Sequence, residues 1–296
     1  MSEKGKTIKN YFVYNIYNIR VKNWRAYMGL ALFPLLKFDS VTEFLSHLTD
    51  IIVLIISISI YLAFAFGINN YYDRKEDVEE GDVKKNLIAF GKLSPKDALS
   101  FLVIITLAGI TFVFIYTQDL LIWALYVSLI FFAWIYSAYP IRLKTRAGLD
   151  ILSHGLYFGS VIFAYSYLLL FRNELFELLY NPLLYLIFLY SISLEMRNEV
   201  EDFDFDKTAG LKTTATVLGK NRAVRFIFSV LLLHWIIPPI YAYVCLSNIF
   251  VTAIFGVITV IVLVSATMTN NFKWYRINDV AVILFYILFI LTLKYV

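Results

Sequence analysis

The sequence predicts an all-α, polytopic membrane protein with nine transmembrane helices. Three observations carry this. Of the 296 residues, 60% are hydrophobic and only 16% are charged, against about 45–50% and about 25% in soluble domains. The mean hydropathy is +0.72. Apolar stretches close to 20 residues recur along the chain, the length needed to cross about 30 Å of hydrocarbon as a helix. A disordered chain, a collagen-like chain and a small disulfide scaffold are excluded. Cys245 is the single cysteine, so no intrachain disulfide forms.

Residues 1–25 are polar and basic and do not read as a cleavable signal, because no apolar core follows a short charged start. Residues 11–19 mix aromatics with Asn and read as a short helix at headgroup depth. The predicted spans are 24–41, 48–69, 98–117, 119–138, 149–171, 182–197, 223–244, 248–269 and 279–296. No Pro- or Gly-rich linker divides them, which predicts one domain over 1–296, with 1–23 as an N-terminal interfacial segment. With nine spans, 23 Lys and Arg fall on the side of the N-terminus and three, Lys37, Arg172 and Lys294, on the other. The positive-inside rule then predicts a cell-membrane protein with its N-terminus and long loops cytoplasmic and its C-terminus outside.

The two longest cytoplasmic loops begin with carboxylates. Asn69, Asp73 and Asp77 follow the second span; Asn198, Asp202 and Asp206 follow the sixth. Both sets are spaced i, i+4, i+8, which places each set on one face of a helix. Neighbouring carboxylates repel, and a membrane boundary solvates them poorly. Mg²⁺ or basic side chains are the candidates to compensate them. Mg²⁺ takes oxygen ligands, commonly one or two carboxylates completed by water and substrate phosphate. Two such rows facing one cavity would hold metal ions over a diphosphate. Gly91-Lys92 and Gly219-Lys220 follow the two rows, which reads as a weak internal repeat.

At these residues the sequence resembles the UbiA superfamily of intramembrane prenyltransferases, whose members carry Asn-x-x-x-Asp-x-x-x-Asp after the second helix and Asp-x-x-x-Asp-x-x-x-Asp after the sixth. Arg20-Val21-Lys22-Asn23-Trp24 is similar to the basic segment before the family's first helix. Residues 86–94 are similar to the stretch after the first motif, and Ala209-Gly210-Leu211-Lys212-Thr213-Thr214 to the tail of the second. Tyr136-Ser137-Ala138-Tyr139-Pro140-Ile141-Arg142-Leu143-Lys144 resembles the family's Tyr-Ser-x-Pro-Pro-x-Arg-x-Lys segment. The sequence departs at Asn70 and Asn198, where Asp is common, and at Leu87 and Tyr139, where Pro is common. Glu199, Glu201 and Asp204 are candidates to replace the charge missing at Asn198. The resemblance implies nine helices around a central cavity and Mg²⁺-dependent (or Mn²⁺-dependent) transfer of a prenyl group from a prenyl diphosphate. It implies Asn69, Asp73, Asp77, Asn198, Asp202 and Asp206 as metal-site residues and singles out Tyr136.

The chemistry agrees with the residues. An allylic diphosphate ionises when charge on its leaving group is neutralised by metal ions and by preorganised cations. Arg20, Arg142, Lys144 and Lys212 are the diphosphate-binding candidates; Asp73, Asp202 and Tyr136 are the catalytic ones. The allyl cation then needs a dry cavity in which aromatic faces stabilise it. The acceptor is expected to be lipophilic: a quinone precursor, an ether lipid or a carotenoid. Asp150 and His154 stand at i, i+4 and are expected to pair. His47 and His234 read as isolated. Around Asp150 the sequence faintly resembles carotenoid-elongating members. A cation-coupled transporter and an inactive lipid-binding homologue are the rival readings. No Walker loop, Rossmann fingerprint, zinc pattern or nucleic-acid module is present.

Overall fold

The computed structural model describes residues 3–80, 86–268 and 273–295. Ten principal helices order the chain: α1 (Glu3–Asn18), α2 (Arg25–Leu32), α3 (Leu48–Asp73), α4 (Pro95–Thr117), α5 (Leu120–Ser137), α6 (Leu149–Leu170), α7 (Pro182–Glu201), α8 (Lys220–Val244), α9 (Ile249–Met268) and α10 (Lys273–Tyr295). Among the described residues there is no strand, only an isolated bridge between Arg146 and Lys212.

Among the described residues, six helices are long and apolar enough to cross a membrane: α3, α4, α5, α6, α8 and residues 278–295 of α10. The other three predicted spans form helix of a different kind. Residues 24–41 break after Leu32 into a 3₁₀ turn, Phe33–Lys37. Pro34 has no N–H to continue the α-helical ladder, and α2 with this turn is too short to span at 1.5–2.0 Å per residue. Helix α7 has the length, but Glu195, Arg197, Glu199 and Glu201 charge its last two turns. Helix α9 offers a shorter apolar run, Ile249–Ser265. The expected helix over 11–19 exists within α1.

Local sequence explains the turns. Gln118 takes a left-handed conformation, and Asp119 accepts from Leu121 N (2.8 Å) and Ile122 N (3.1 Å), reversing the chain between α4 and α5 in two residues. Ser94 and Asn181 cap α4 and α7, each followed by proline at the first helical position.

Helices α3 and α6 form the middle of the bundle, 67% and 72% buried, whereas α4 is 28% buried. Leu54, Ile58, Tyr61, Leu102, Tyr126, Leu129, Phe163, Tyr165 and Trp235 fill the core. Ile104, Leu107 and Ile115 of α4, Val257 and Ile261 of α9, and Leu284 of α10 face outward. That outward apolar surface is suited to lipid rather than water. Buried polar groups pair internally: Tyr165 donates to Ser57 Oγ (2.7 Å) and Tyr126 to the Ser57 carbonyl (3.1 Å).

Helix α8 contains Pro238 and Pro239. Pro239 supplies no N–H to the carbonyl of Trp235, four residues back. Thr259 Oγ1 of α9 donates to that carbonyl at 2.7 Å and is itself buried. The proline thus frees an acceptor, and a neighbouring helix satisfies it, as an apolar surrounding requires. Thr259→Val is expected to destabilise the protein by about 1–3 kcal/mol, the cost of a stranded buried acceptor. Pro239→Ala should recover most of that loss by restoring the intrahelical bond. Thermal denaturation of the two single variants and the double variant in detergent checks this; additive losses would refute it.

Candidate active site

Both acidic rows reach one cavity of about 360 Å³ at the end of the bundle where α3 and α7 stop. Asn69, Asp73, Asp77, Asn198, Asp202 and Asp206 all line it. Neither row is a single straight helix. Helix α3 ends at Asp73, and Asp77 lies in a separate short helix, Glu76–Glu80. Helix α7 ends at Glu201, and Asp206 lies in Phe203–Thr208. The second row keeps its face across the break because Asp202 N donates to the Asn198 carbonyl and Asp206 N to the Asp202 carbonyl, both at 2.9 Å. In the first row Asn86 does the holding. Its amide donates to Asp77 Oδ2 and to the Asn70 carbonyl, both at 2.7 Å, tying the short helix back to the end of α3.

Asn70 points away from the cavity. Its amide donates to the Asn18 carbonyl at 2.8 Å and fastens α3 to the end of α1. An aspartate has no such donor, so this departure from the family pattern serves the scaffold.

The basic candidates divide. Arg142 bonds Asp73 (3.0 Å) and Glu76 (2.8 Å), and Lys144 also pairs with Asp73. Arg142 lies over the ring of Tyr139 at 4.8 Å and donates to its hydroxyl. The tyrosine that replaces a common proline therefore steadies the guanidinium. Arg20 lines the cavity with its guanidinium 5.4 Å above the Phe66 ring. Arg20 and Arg142 share a backbone device. Each takes a left-handed conformation (φ 54° and 40°) just before a 3₁₀ turn, an arrangement that costs a non-glycine residue about 1–2 kcal/mol. Lys212 does not line the cavity. It is exposed, while its neighbours Leu211 and Thr213 face in.

At the inner end stand Tyr136, Glu195, His154, Tyr27, Phe66 and Phe158. Tyr136 donates to Glu195, and Asn198 Nδ2 reaches Glu195 at 3.2 Å. His154 lies 3.4 Å from Glu195 and does not pair with Asp150. Asp150 instead accepts from Thr214 N (2.6 Å), Thr214 Oγ1 and Ile151 N (2.8 Å). The stronger offer wins: a pair of converging donors from one residue saturates the carboxylate and docks the tail of the second motif onto α6. Glu199 has a similar role, accepting from Ala215 N at 2.8 Å at the start of the helix Thr214–Leu218. Of the three proposed substitutes for the missing charge, only Glu199 lines the cavity; Asp204 pairs outside it with Lys220.

Seven carboxyl groups line the cavity against Arg20, Arg142 and Lys144. Burial, and then the neighbouring Asp202, push Asp206 up to about 6. Glu76 Oε2 is buried without a hydrogen-bond partner among the described residues, while burial, and then the neighbouring Asp150, push Glu199 well above the ordinary carboxyl range, towards its neutral form. Among the described residues, more carboxyls than fixed cations, hard oxygen donors and the unpartnered Glu76 oxygen fit a divalent cation such as Mg²⁺. Among the described residues no three carboxylates, histidines or cysteines already converge on one point. That suits an ion which keeps water and phosphate in its shell. Glu76, Asn86 and Glu195 were missed in the sequence reading. Glu76 and Glu195 each stand three residues from a row member, the spacing of neighbours on a helix face, and that spacing was a usable signal.

Comparison with known proteins agrees with this geometry. A lycopene elongase/hydratase of Halobacterium salinarum is 30% identical over 174 residues, 57% of this chain and 58% of that protein. One from Haloferax volcanii is 28% identical over 164 residues, 54% of this chain and 50% of that protein. The matches thus span little more than half of these relatives. Among solved structures, a UbiA homologue from Archaeoglobus fulgidus bound to GPP and Mg²⁺ superposes with a TM-score of 0.66 at 17% identity, over 95% of this chain and 99% of that one. A structure of digeranylgeranylglyceryl phosphate synthase superposes at 0.71 and 16% identity, over 98% of this chain and all of that one. At such identities the likeness establishes the fold. The model of the UbiA prenyltransferase family matches residues 26–293, and the chain belongs to that family.

Proposed function

We propose that this protein is a Mg²⁺-dependent prenyltransferase that moves a prenyl group from an isoprenoid diphosphate to a lipophilic acceptor, working as one domain of nine membrane spans. The carrying observation is the cavity with seven carboxyls, three fixed cations and an aromatic inner end. Asn69, Asp73 and Asp77 would hold one ion, and Asn198, Asp202 and Asp206 the other. Divalent cations there would neutralise charge developing on the departing diphosphate. Arg142 and Lys144, which here neutralise Asp73, are placed to receive the diphosphate once Asp73 engages a cation. Arg20, over the Phe66 ring, adds a third cation to the lining. Tyr136, held by Glu195, presents its ring beside Phe158 (5.3 Å between centroids), where aromatic faces stabilise an allyl cation. Lys212 is exposed and is suited to attracting the anionic substrate rather than touching it.

A second cavity of about 360 Å³, walled by Leu30, Phe33, Ile187, Val282, Ile283 and Tyr286, meets the first at Tyr27, His154 and Phe158. Its apolar walls favour a hydrocarbon acceptor. The names of the two elongase relatives support a carotenoid-like polyene over a glycerol phosphate ether lipid. The N-terminus and the acidic loops face the cytoplasm in this reading, and the C-terminus lies outside. Reporter fusions at the two termini should give opposite sides; same-side signals would rule out nine spans.

Diphosphate release from dimethylallyl or geranyl diphosphate is expected to require Mg²⁺ or Mn²⁺ and to stop in excess EDTA. Unchanged release in EDTA would refute the metal role. Asp73→Ala and Asp202→Ala should each lower turnover by at least about 10²-fold, the scale of removing one preorganised electrostatic element.

Asn198 gives a separate test. As a ligand it offers a neutral oxygen, and hard cations prefer charged ones. Asn198→Asp should retain activity and lower the Mg²⁺ concentration needed for half-maximal rate. Asn198→Leu should raise it. Identical Mg²⁺ titrations for all three proteins would remove Asn198 from the metal site.

A further inference from the structure

We propose that His154 is the proton acceptor of the transfer reaction, taking the proton that the alkylated acceptor must lose. The proposal rests on the prenyl-transfer reading above. When the prenyl carbon–oxygen bond breaks, its electron pair leaves with the diphosphate. A π pair of the acceptor then forms the new carbon–carbon bond, and the positive charge passes to an acceptor carbon. Neutrality returns when an adjacent C–H bond breaks, its pair becomes a new double bond, and the proton moves to a base. That base must stand where the two cavities meet.

His154 stands there, lining both cavities. Its tautomer follows from its partners. Nδ1 lies 3.2 Å from the Ser191 carbonyl, which only accepts, and 3.0 Å from Ser191 Oγ. Ser191 Oγ spends its own proton on the His154 carbonyl at 3.1 Å. Nδ1 therefore carries the hydrogen. Nε2 is left with its lone pair on the side of Tyr27 Oη and Glu195 Oε2, each 3.4 Å away. Glu195 supplies the counter-charge for the imidazolium that forms, and the Phe158 ring stacks on the imidazole at 5.2 Å between centroids.

The backbone is built to hold this position. A β-carbon on Gly155 would lie 2.8 Å from Ile192, and one on Gly159 would lie 2.8 Å from Ser191 Cβ. Helices α6 and α7 can approach closely only because both residues are glycine, and that approach brings Ser191 to Nδ1. A π-helical turn, Leu156–Ser160, follows immediately; such turns are frequent at functional sites. Two carboxylates stand near this junction, and both are engaged. Asp279, in the second cavity, is ion-paired with Arg197 at 2.8 Å and accepts from Tyr190. Glu195 already accepts from Tyr136 and Asn198.

The test uses the full chain in proteoliposomes containing lycopene and native lipid extract, with Mg²⁺ and radiolabelled dimethylallyl diphosphate. Two quantities are read: diphosphate released, and label in non-volatile lipid. In His154→Gln, release should stay within about threefold of wild type, while alkylated lipid should fall by 10²-fold or more, the usual contribution of a general base. With deprotonation blocked, the new carbon–carbon bond reopens and its pair returns to the acceptor π bond. Water captures the allyl cation and loses a proton to diphosphate, so the label should then appear as dimethylallyl alcohol. In His154→Ala, added imidazole should restore alkylation. Wild-type alkylation by His154→Gln would overturn the assignment and leave the leaving diphosphate as the base. A parallel fall in release and alkylation, without imidazole rescue, would overturn it in favour of a structural role. Absence of diphosphate release from the wild type would overturn the prenyl-transfer reading and this assignment with it.

Discussion

A gathering of carboxyls that outnumbers the fixed cations among the described residues of one cavity is the constraint on which the rest of this structure depends. Seven carboxyls share one cavity with three fixed cations. In water such a group would be screened within about 8–10 Å. Here the walls are helix and aromatic side chain, and the charges feel one another. Two consequences are visible in the structure. Arg142 and Lys144 converge on Asp73 and Glu76. Asp206 is pushed towards its neutral form by burial and then by Asp202. Both relieve repulsion without removing it. A divalent cation relieves it more completely, and in doing so frees the same Arg and Lys for a diphosphate. In the proposed function the acids and bases of the site would hold each other until substrate and metal replaced those contacts together.

A second set of polar residues makes that arrangement possible. Asn70, Asn86, Asp150 and Glu199 are all buried, and each is hydrogen-bonded to backbone, with the Asn18 side chain, Asp77 and Thr214 Oγ1 as further partners of Asn70, Asn86 and Asp150. Asn86 carries Asp77 across the break after α3. Asp150 and Glu199 dock the segment Thr213–Leu218 against α6 and α7, beside Asp206. Buried polar groups cost stability unless paired, so their pairing here fixes the loops in one conformation. The rows can then stay open towards the cavity while their backbone is rigid.

How much of this was legible in the sequence depends on range. The helical class and the rows at 69–77 and 198–206 follow from local spacing, and all six row residues do reach one cavity. The breaks at Asp73 and Asp202 leave no strong mark, because helical hydrogen bonding is kept across the second and Asn86 repairs the first. Pro34 was a visible reason to shorten the first span. His154 was paired with Asp150 because the two are i, i+4. Its real partners, Ser191 and Glu195, lie about 40 residues away and depend on glycines at 155 and 159. Asp150 was drawn off by Thr214, 64 residues on. His47, read as isolated, pairs with Asp50 three residues later at 3.2 Å. Lys212 belongs to the second motif's tail, yet turning it outward is a matter of which residues face in, and Leu211 and Thr213 do.

The opposite end of the bundle shows that the imbalance is particular to one cavity. There Lys37 pairs with Glu174 and, at 2.8 Å, with Glu177; Arg172 pairs with Asp50 at 3.2 Å; and Lys294 pairs with Asp39 at 3.2 Å. Tyr116 adds a hydrogen bond to Asp50 at 2.9 Å. Burial pushes Glu177 up, but Lys37 outweighs it and holds the carboxyl below its ordinary range. Four carboxylates meet three cations, and each cation stands directly on its acid. That end also encloses a cavity, of about 420 Å³, slightly larger than the one that gathers both acidic rows. Volume therefore does not distinguish the two. What distinguishes them is that one end has satisfied its charges with side chains, while the other, among the described residues, keeps more carboxyls than fixed cations and a buried Glu76 oxygen, Oε2, without a hydrogen-bond partner. A fold selected only for stability has no reason to leave that oxygen so, since an unpartnered buried oxygen costs about 1–3 kcal/mol. The cost is intelligible if that oxygen is completed by something the chain does not itself contain.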